Sequence, residues 1–261
     1  ELSHGWREAK ANALIRPAKR IRPGHRISLG GDLELQVEDK HPYGRVEGRL
    51  LWRGELSGLL EQAGRMPLPP YIRREQEAID LERYQTVFAR ESRKGSAASP
   101  TAGLHFSPEI IRELERQGIT WTEISLHVGY GTFTPLREQD IRNHRMHAEY
   151  VEIPPQSAEK VNRAKQEARP VVAVGTTCTR ALETAARPQG GITAHQGWSD
   201  LYIYPGYSFQ VVDHLITNFH LPGSSLILMV SALAGRQQLL RAYKNAIQQC
   251  YRFFSYGDAM L

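Results

Sequence analysis

The sequence predicts a protein with two domains, a small antiparallel β domain over residues 1–62 and a large α/β domain over residues 63–261. Three observations lead to this fold class. Apolar residues in the first 62 positions alternate with polar ones between turn signals, which is typical of antiparallel strands. From about residue 73 onward, strand-like apolar runs alternate with helical stretches, which is typical of α/β proteins. A proline-rich crossing, "RMPLPPYI" at residues 65–72, separates the two patterns.

The alternation in the small domain is clearest in "LELQV" at residues 33–37 and in "VEGRLLW" at residues 46–52. Gly-Gly precedes the first of these stretches, and His-Pro and Tyr-Gly separate it from the second. Alternating stretches with turn signals at this spacing indicate a small antiparallel β unit.

In the large domain, the helix over residues 107–118 has the clearest punctuation. Ser107 is a cap residue, Pro108 suits the first turn, and Gly118 suits the end of a helix. We also predict helices over 156–168, 224–235 and 236–251, and a strand, turn and helix over 170–186. Further strands are predicted over 122–128, 200–204 and 209–213.

Composition limits the class of protein. Hydrophobic residues make up 41% of the 261 positions, which indicates a globular chain. The longest apolar run is too short to span a bilayer, no signal peptide is visible, and we expect no membrane association. Cys178 and Cys250 are far apart and form no metal or disulfide motif, which fits a reducing cytoplasm. The net charge of +5 suits a polyanionic partner without establishing one.

The segment "VVAVGTTCTRALE" at residues 171–183 is a candidate anion site. A strand, one glycine and two threonines that open a helix place backbone N–H groups at the carboxyl end of the strand, where a carboxylate can bind. The alternative is an ordinary threonine cap. Neither a GxGxxG nor a GxxxxGK[ST] motif is present, so a usual dinucleotide or NTP site is not predicted.

Four segments carry histidines beside Gly, Pro or Thr: "TAGLHF" (101–106), "SLHVGYGTF" (125–133), "HRMHAEY" (144–150) and "TNFHLP" (217–222). One such histidine is usually structural, but four together favour a site with a proton-transfer group. His144 and His147 would share a helical face with Glu149 nearby, yet no further cluster has ligand spacing, and we predict no metal.

Aromatic and basic residues suggest contacts with a base and with phosphates. Six aromatic residues lie in or near these segments: Tyr130, Phe133, Tyr202, Tyr204, Tyr207 and Phe219. Each could either pack in the core or stack on a purine. Cations are dense in "RPAKRIRPGHR" at residues 16–26 and at Arg73 and Arg74. They suit either a solvated strand edge or phosphate contacts.

Nine segments in order make the chain resemble a known family, and they are "MPLPPYI", "DLERYQTVFAR", "PTAGLHF", "LHVGYGTFTPLR", "HRMHAEY", "VVAVGTTCTRALE", "GWSDLYIYPGY", "LITNFHLPGSSLILMVSALAG" and "YRFFSYGDAML". The chain resembles the S-adenosylmethionine:tRNA ribosyltransferase-isomerases of queuosine biosynthesis. The likeness is co-linear from about Met66 to Leu261, and looser before it, through "RPAKRIRPG".

The resemblance implies a multi-domain α and β fold, with a mixed sheet in the large α/β domain and a small inserted antiparallel β-barrel. It also implies that family members carry an N-terminal part of the large domain ahead of the small barrel. The implied enzyme transfers and isomerises the ribosyl unit of S-adenosylmethionine onto the aminomethyl-deazaguanine wobble base of tRNA. Adenine and methionine leave, and the product is epoxyqueuosine-tRNA.

The implied partners are S-adenosylmethionine, as a co-substrate and not a bound cofactor, and a tRNA with a GUN-type anticodon. We expect a cytoplasmic monomer. Two rival interpretations are an S-adenosylmethionine-dependent RNA methyltransferase, which the lack of a glycine-rich donor loop disfavours, and a non-catalytic RNA-binding module.

Site residues follow from this chemistry as hypotheses. The acid/base candidates are His105 and His147 first, then His127 and His220, with Glu149 orienting a histidine or facing the sulfonium. Thr176, Thr177 and Arg180 would hold the methionine carboxylate, and Tyr130 and Phe219 would stack on adenine. The other predicted substrate-binding residues are Thr101, Gly103, Gly131, Phe133, Gly175, Tyr204, Gly206 and Asn218. The predicted RNA-binding residues are Arg16, Lys19, Arg20, Arg22, Arg73 and Arg74.

Overall fold

The computed structural model describes residues 5–66, 68–69, 71–72, 74–93, 95–129, 136, 138 and 140–261. The chain divides into two compact units, Glu1–Met66 and Pro67–Leu261. The sequence predicts this boundary between residues 62 and 63. In the described part of the chain, no helix has the length and apolar character that a membrane crossing requires.

The first unit is a four-stranded antiparallel sheet followed by a helix. Its strands are β1 (Trp6–Leu14), β2 (Arg26–Gly30), β3 (Leu33–Lys40) and β4 (Arg45–Arg53), in the order β1-β4-β3-β2, and α1 spans Leu56–Ala63. The strands predicted over residues 33–37 and 46–52 form and are antiparallel neighbours, with Leu33 opposite Trp52 and Leu35 opposite Leu50. Among the described residues β1 and β2 are the edges of this sheet, so a closed barrel stays a prediction.

The second unit contains two three-stranded sheets. One is antiparallel, in the order β5 (Ser125–His127), β6 (Glu149–Ile153) and β8 (His195–Ser199). In the other, β9 (His214–Asn218) lies parallel to β7 (Val172–Val174) and antiparallel to β10 (Ala259–Met260). Apolar side chains from both sheets share one core with helices, and Ile153, Ala173, Ala181, Ile192 and Leu215 are among its buried members.

Six helices belong to this unit, among the residues described. They are α2 (Ala78–Arg83), α3 (Pro108–Arg116), α4 (Pro155–Gln166), α5 (Thr176–Thr184), α6 (Ser225–Ala234) and α7 (Arg236–Gln248). The five helices predicted from the sequence are confirmed as α3 to α7. The cap of α3 forms as expected, since the Ser107 hydroxyl accepts a hydrogen bond from the Ile110 N–H at 3.3 Å.

The strands predicted over 200–204 and 209–213 are wrong. In the second of these segments, backbone groups bond to a side chain instead of a neighbouring strand. The buried Glu183 carboxylate accepts from the N–H groups of Gln210, Val211 and Val212 at 2.9, 3.0 and 2.9 Å, respectively. Because those donors are already satisfied, the segment has no need of a ladder.

The prediction for residues 144–149, at the start of the antiparallel sheet, is also wrong. The helical face expected for His144 and His147 does not form, because the chain between them is irregular and then enters β6. Strand β6 alternates buried Glu149, Val151 and Ile153 with partly exposed residues. Because the first buried position of β6 is the charged Glu149, the alternation cannot be recognised from hydrophobicity alone.

Candidate functional site

The helix N-terminus predicted as an anion site forms at the edge of the parallel pair β7 and β9. Gly175 follows β7 with a φ of +95°, a conformation that favours glycine, and its N–H donates to the Ile216 carbonyl at 2.9 Å. Helix α5 begins at the next residue, and Thr176 and Thr177 are both buried in its first turn. The first N–H groups of the helix lie at the carboxyl ends of the strands, where ligands bind in open sheets.

A short 3-10 helix, Thr101–His105, packs beside this turn. A Cβ atom placed on Gly175 would lie 3.7 Å from the Ala102 Cβ, which shows how close the two segments are. Gly103 is fixed by packing, because a Cβ there would lie 2.5 Å from the Phe88 ring and 2.9 Å from the Thr86 methyl. The sequence analysis predicts Gly103 as a substrate-binding residue, whereas this packing explains the glycine by the close approach of the turn to the protein interior.

Asn218, the last residue of β9, joins Thr101 to His105. Its amide nitrogen lies 3.0 Å from Nε2 of His105, and its amide oxygen accepts from the Thr101 hydroxyl at 3.1 Å. An amide nitrogen only donates, so with the amide assigned this way Nε2 of His105 is an acceptor. The neutral ring then carries its proton on Nδ1.

The surroundings of His105 keep its imidazole neutral. Burial lowers the pKa of His105. The nearby Asp258 carboxylate raises this pKa, and the positive charge of Arg252 lowers it further. Asp258 lies near because the next residue, Ala259, pairs with Asn218 across β10 and β9. Arg252 holds Asp258 through its backbone N–H at 2.7 Å and its guanidinium at 3.0 Å. Sequence reasoning missed Asp258 and Arg252, although both lie in the segment "YRFFSYGDAML".

Arg180 and Glu149 form a buried ion pair, at 3.0 Å between Nη1 and Oε2. The Arg180 guanidinium also donates to the carbonyl oxygens of His147, Ser199 and Leu201, at 3.3, 3.1 and 3.1 Å. These contacts tie α5 to β6 and to the end of β8. We therefore correct the predicted role of Arg180 in carboxylate binding to one of holding these strands, and Glu149 is its buried counterion.

The histidines predicted as one group have different surroundings. His127 lies on β5, its ring at 5.7 Å and edge-on to that of Tyr150. His147 is exposed and precedes β6. His220 is bonded through Nε2 to the Thr217 hydroxyl at 2.8 Å, and burial lowers its pKa to about 4. A pKa this low makes His220 a weak base at neutral pH.

The aromatic residues predicted to bind substrate also differ in their surroundings. Phe219 is 4% exposed and packs against Phe253, Tyr243 and Tyr251, so we correct it from an adenine-stacking residue to a core residue. Tyr204 packs on Tyr202 with ring centres 5.0 Å apart, beside the turn at Gly206. The predicted Tyr130, Gly131 and Phe133 lie outside the described residues.

The predicted RNA-binding cations differ in their surroundings as well. Arg16, Lys19, Arg20 and Arg22 are exposed in the first unit. Arg74 forms a two-pronged ion pair with the buried Asp80, at 2.6 and 2.8 Å, so we correct its role from phosphate contact to a structural one. The Arg74 guanidinium holds the pKa of Asp80 well below its usual range. Arg73 lies outside the described residues.

A neutral imidazole that an amide orients, beside a helix N-terminus, suits an enzyme that binds an anionic molecule and moves protons on it. In the described ranges, no group of three or more His, Cys, Asp or Glu side chains has an arrangement that could hold a metal ion. The chain belongs to the queuosine biosynthesis protein family, whose model matches residues 2–261. This confirms the resemblance found in the sequence motifs.

Relatives support the same assignment. The chain is 54% identical over 257 residues to the S-adenosylmethionine:tRNA ribosyltransferase-isomerase of Nitratidesulfovibrio vulgaris (strain DP4), covering 98% of this chain and 69% of that protein. The protein of that name in Oleidesulfovibrio alaskensis is 54% identical over 97% of this chain and 66% of its own length. The crystal structure of S-adenosylmethionine tRNA ribosyltransferase from Thermotoga maritima matches with a TM-score of 0.50 and 29% identity, over 100% of this chain and 71% of that one.

Proposed function

We propose that the chain is an S-adenosylmethionine:tRNA ribosyltransferase-isomerase. It transfers and isomerises the ribosyl moiety of S-adenosylmethionine onto the aminomethyl-deazaguanine wobble base of tRNA, and it releases adenine and methionine. The observation that carries this proposal is the 54% identity to a relative of that name over 98% of the chain. The name of that relative implies S-adenosylmethionine as a co-substrate and tRNA as the acceptor. We further propose that the tRNA has a GUN-type anticodon and that the enzyme acts as a monomer.

The helix N-terminus at Gly175–Thr177 is the proposed site for the methionine carboxylate. Backbone N–H groups of the first turn and the helix dipole both favour a negative group there. This position replaces Arg180 as the anion-binding element, because the Arg180 guanidinium already donates four hydrogen bonds inside the protein.

His105, on the 3-10 helix that packs beside the Gly175 turn, is the proposed hydrogen-bond donor to the leaving adenine. With Nε2 accepting from Asn218, the ring offers the N–H on Nδ1 as a donor. A donor suits the departing adenine, whose leaving nitrogen gains negative charge as its bond to the sugar breaks. The base that removes the proton beside the sulfonium is then a different group, and His147 and His127 remain the candidates.

Adenine release tests the function. The chain is incubated with S-adenosylmethionine and an anticodon stem-loop carrying aminomethyl-deazaguanine, with the Nitratidesulfovibrio vulgaris relative as positive control. We expect free adenine only when both substrates are present. Release of S-adenosylhomocysteine would instead show methyl transfer, and RNA binding with no product would show a binding module.

Two substitutions at one position test the role of His105. Asn places its amide nitrogen near the position of Nδ1, whereas Gln places it near Nε2. We expect His105→Gln to lower the rate of adenine release by about 10²–10³-fold, the usual cost of removing one hydrogen-bond donor to developing negative charge, and His105→Asn to lower it less. Equal losses in the two variants would refute the donor role of Nδ1.

A further inference from the structure

The segment that links β1 to β2, residues 15–25, forms a surface that we call the basic loop. It lies within a stretch from residue 9 to residue 31 that has no Asp or Glu and whose cations are Lys10, Arg16, Lys19, Arg20, Arg22 and Arg26. The four cations within the basic loop itself are all exposed to solvent. The loop therefore concentrates positive charge at one place on the first unit.

The three arginines Arg45, Arg49 and Arg53 on β4 are paired with carboxylates. Arg45 and Arg53 on β4 pair with Glu47 and Asp32 at 2.5 and 3.1 Å, respectively. Arg49, between them, pairs with Glu8 and Glu38. Across the described residues, no ion pair involves the four cations of the basic loop. Strand β4 thus pairs its three arginines with carboxylates of the same unit, while the loop leaves its cations available to a partner.

The loop is held at one end to the turn before β4, and at the other end and in the middle to β3. The Ile15 N–H donates to the Gly44 carbonyl at 2.8 Å, and the Gly24 N–H donates to the Val37 carbonyl at 2.8 Å. The Lys40 ammonium reaches across from β3 to the carbonyl oxygens of Ala18 and Ile21, at 2.6 and 3.1 Å. A backbone fixed in this way presents its cations with a smaller loss of conformational entropy on binding.

We propose that the basic loop is the surface that grips the phosphate backbone of the RNA substrate, and that Lys40 is the residue that positions it. This inference rests on the proposed function. Three of the four loop cations are arginines, whose planar guanidinium binds phosphate oxygens in pairs. An RNA strand offers repeated phosphates to a row of such groups, and each contact formed releases a counterion.

Two charge-matched double variants test the surface. Arg20→Gln with Arg22→Gln removes two cations from the basic loop, and Arg45→Gln with Arg53→Gln removes two paired cations from β4. Binding of an unmodified tRNA transcript is followed by fluorescence anisotropy between about 50 and 200 mM salt. Two lost phosphate contacts should reduce the slope of log affinity against log salt by about 1.4–1.8. The affinity should fall roughly tenfold or more at low salt, and the β4 variant should stay within about twofold of the parent.

Lys40→Met tests the positioning role, with Lys10→Met, an exposed lysine on β1, as its match. We expect Lys40→Met to weaken RNA binding several-fold more than Lys10→Met does, at an unchanged melting temperature. Equal salt slopes for the parent and the loop variant would overturn the proposal. Loss of binding to anionic phosphatidylserine vesicles without loss of RNA binding would also overturn it, in favour of a membrane.

The RNA and adenine measurements separate the two proposals. Adenine released by the parent, with RNA binding unaffected in the loop variant, would reject the basic loop and keep the enzyme. Binding that depends on the loop, with no adenine released by the parent, would reject the enzyme and keep the loop as an RNA surface.

Discussion

Replacing Arg180 with Met should destabilise the protein rather than weaken substrate binding. The substitution leaves the Glu149 carboxylate buried at 5% exposure without its ion-pair partner. It also removes the donors to the carbonyl oxygens of His147, Ser199 and Leu201. Breaking one side of a buried ion pair costs about 3–5 kcal/mol. For a unit of this size, each kcal/mol lowers the melting temperature by about 2–4 °C, so we expect a decrease of about 6–20 °C.

Thermal unfolding and steady-state kinetics together decide this prediction. Adding Glu149→Met to Arg180→Met removes the stranded charge, and the double variant should recover much of the lost melting temperature. Arg45→Met, at an exposed ion pair, is the control and should shift the melting temperature by little. A change of less than about 2 °C in Arg180→Met, with a large rise in KM for S-adenosylmethionine, would refute our reasoning and restore Arg180 as a ligand for the substrate.

Two further predictions concern buried acids and bases. The unfolded chain protonates His220 near pH 6.5, whereas the native pKa is about 4, so stability should fall by about 3 kcal/mol as the pH drops between those values. His220→Gln should flatten that fall in pH-dependent denaturation while the exposed His25→Gln does not, and parallel curves would contradict this. The two carboxylate oxygens of Glu183 accept from Tyr207, Gln210, Val211 and Val212, and Glu183→Gln replaces one of these oxygens with an NH2 donor. We expect this change to lower the free energy of unfolding by about 3 kcal/mol and to speed amide exchange over residues 210–212. The surface control Glu167→Gln should change neither, and unchanged exchange in Glu183→Gln would refute the anchoring role.

Local signals predicted the parts of the fold that local interactions determine. The cap at Ser107 and the strand, glycine and helix around Gly175 depend on residues within a few positions of each other, and both form as expected. Hydrophobic alternation predicted strands over residues 33–37 and 46–52, because one face of the sheet that they form is buried.

The features that sequence analysis predicted wrongly depend on contacts between residues far apart in the chain. Residues 209–213 have the apolar content of a strand, but a carboxylate from α5 satisfies their backbone. Arg180 follows the predicted anion-binding turn along the chain, which suggested a substrate-binding residue. Its partners come from β6 and from residues at and after the end of β8, and sequence spacing does not reveal these contacts. Phe219 in the segment "TNFHLPG" suggested a stacking residue, and only its three aromatic neighbours identify it as a core residue.

Strand β9 explains why two histidine segments of similar appearance differ in their surroundings. Successive side chains of a strand point to opposite faces, so Thr217 and Asn218 meet different neighbours. Thr217 bonds His220 on the face where the Tyr243 hydroxyl also accepts from the His220 N–H, at 2.7 Å. Asn218 bonds His105 on the face that adjoins the start of α5. The alternation of one strand thus buries one imidazole in the core and places the other beside the proposed site for the substrate carboxylate.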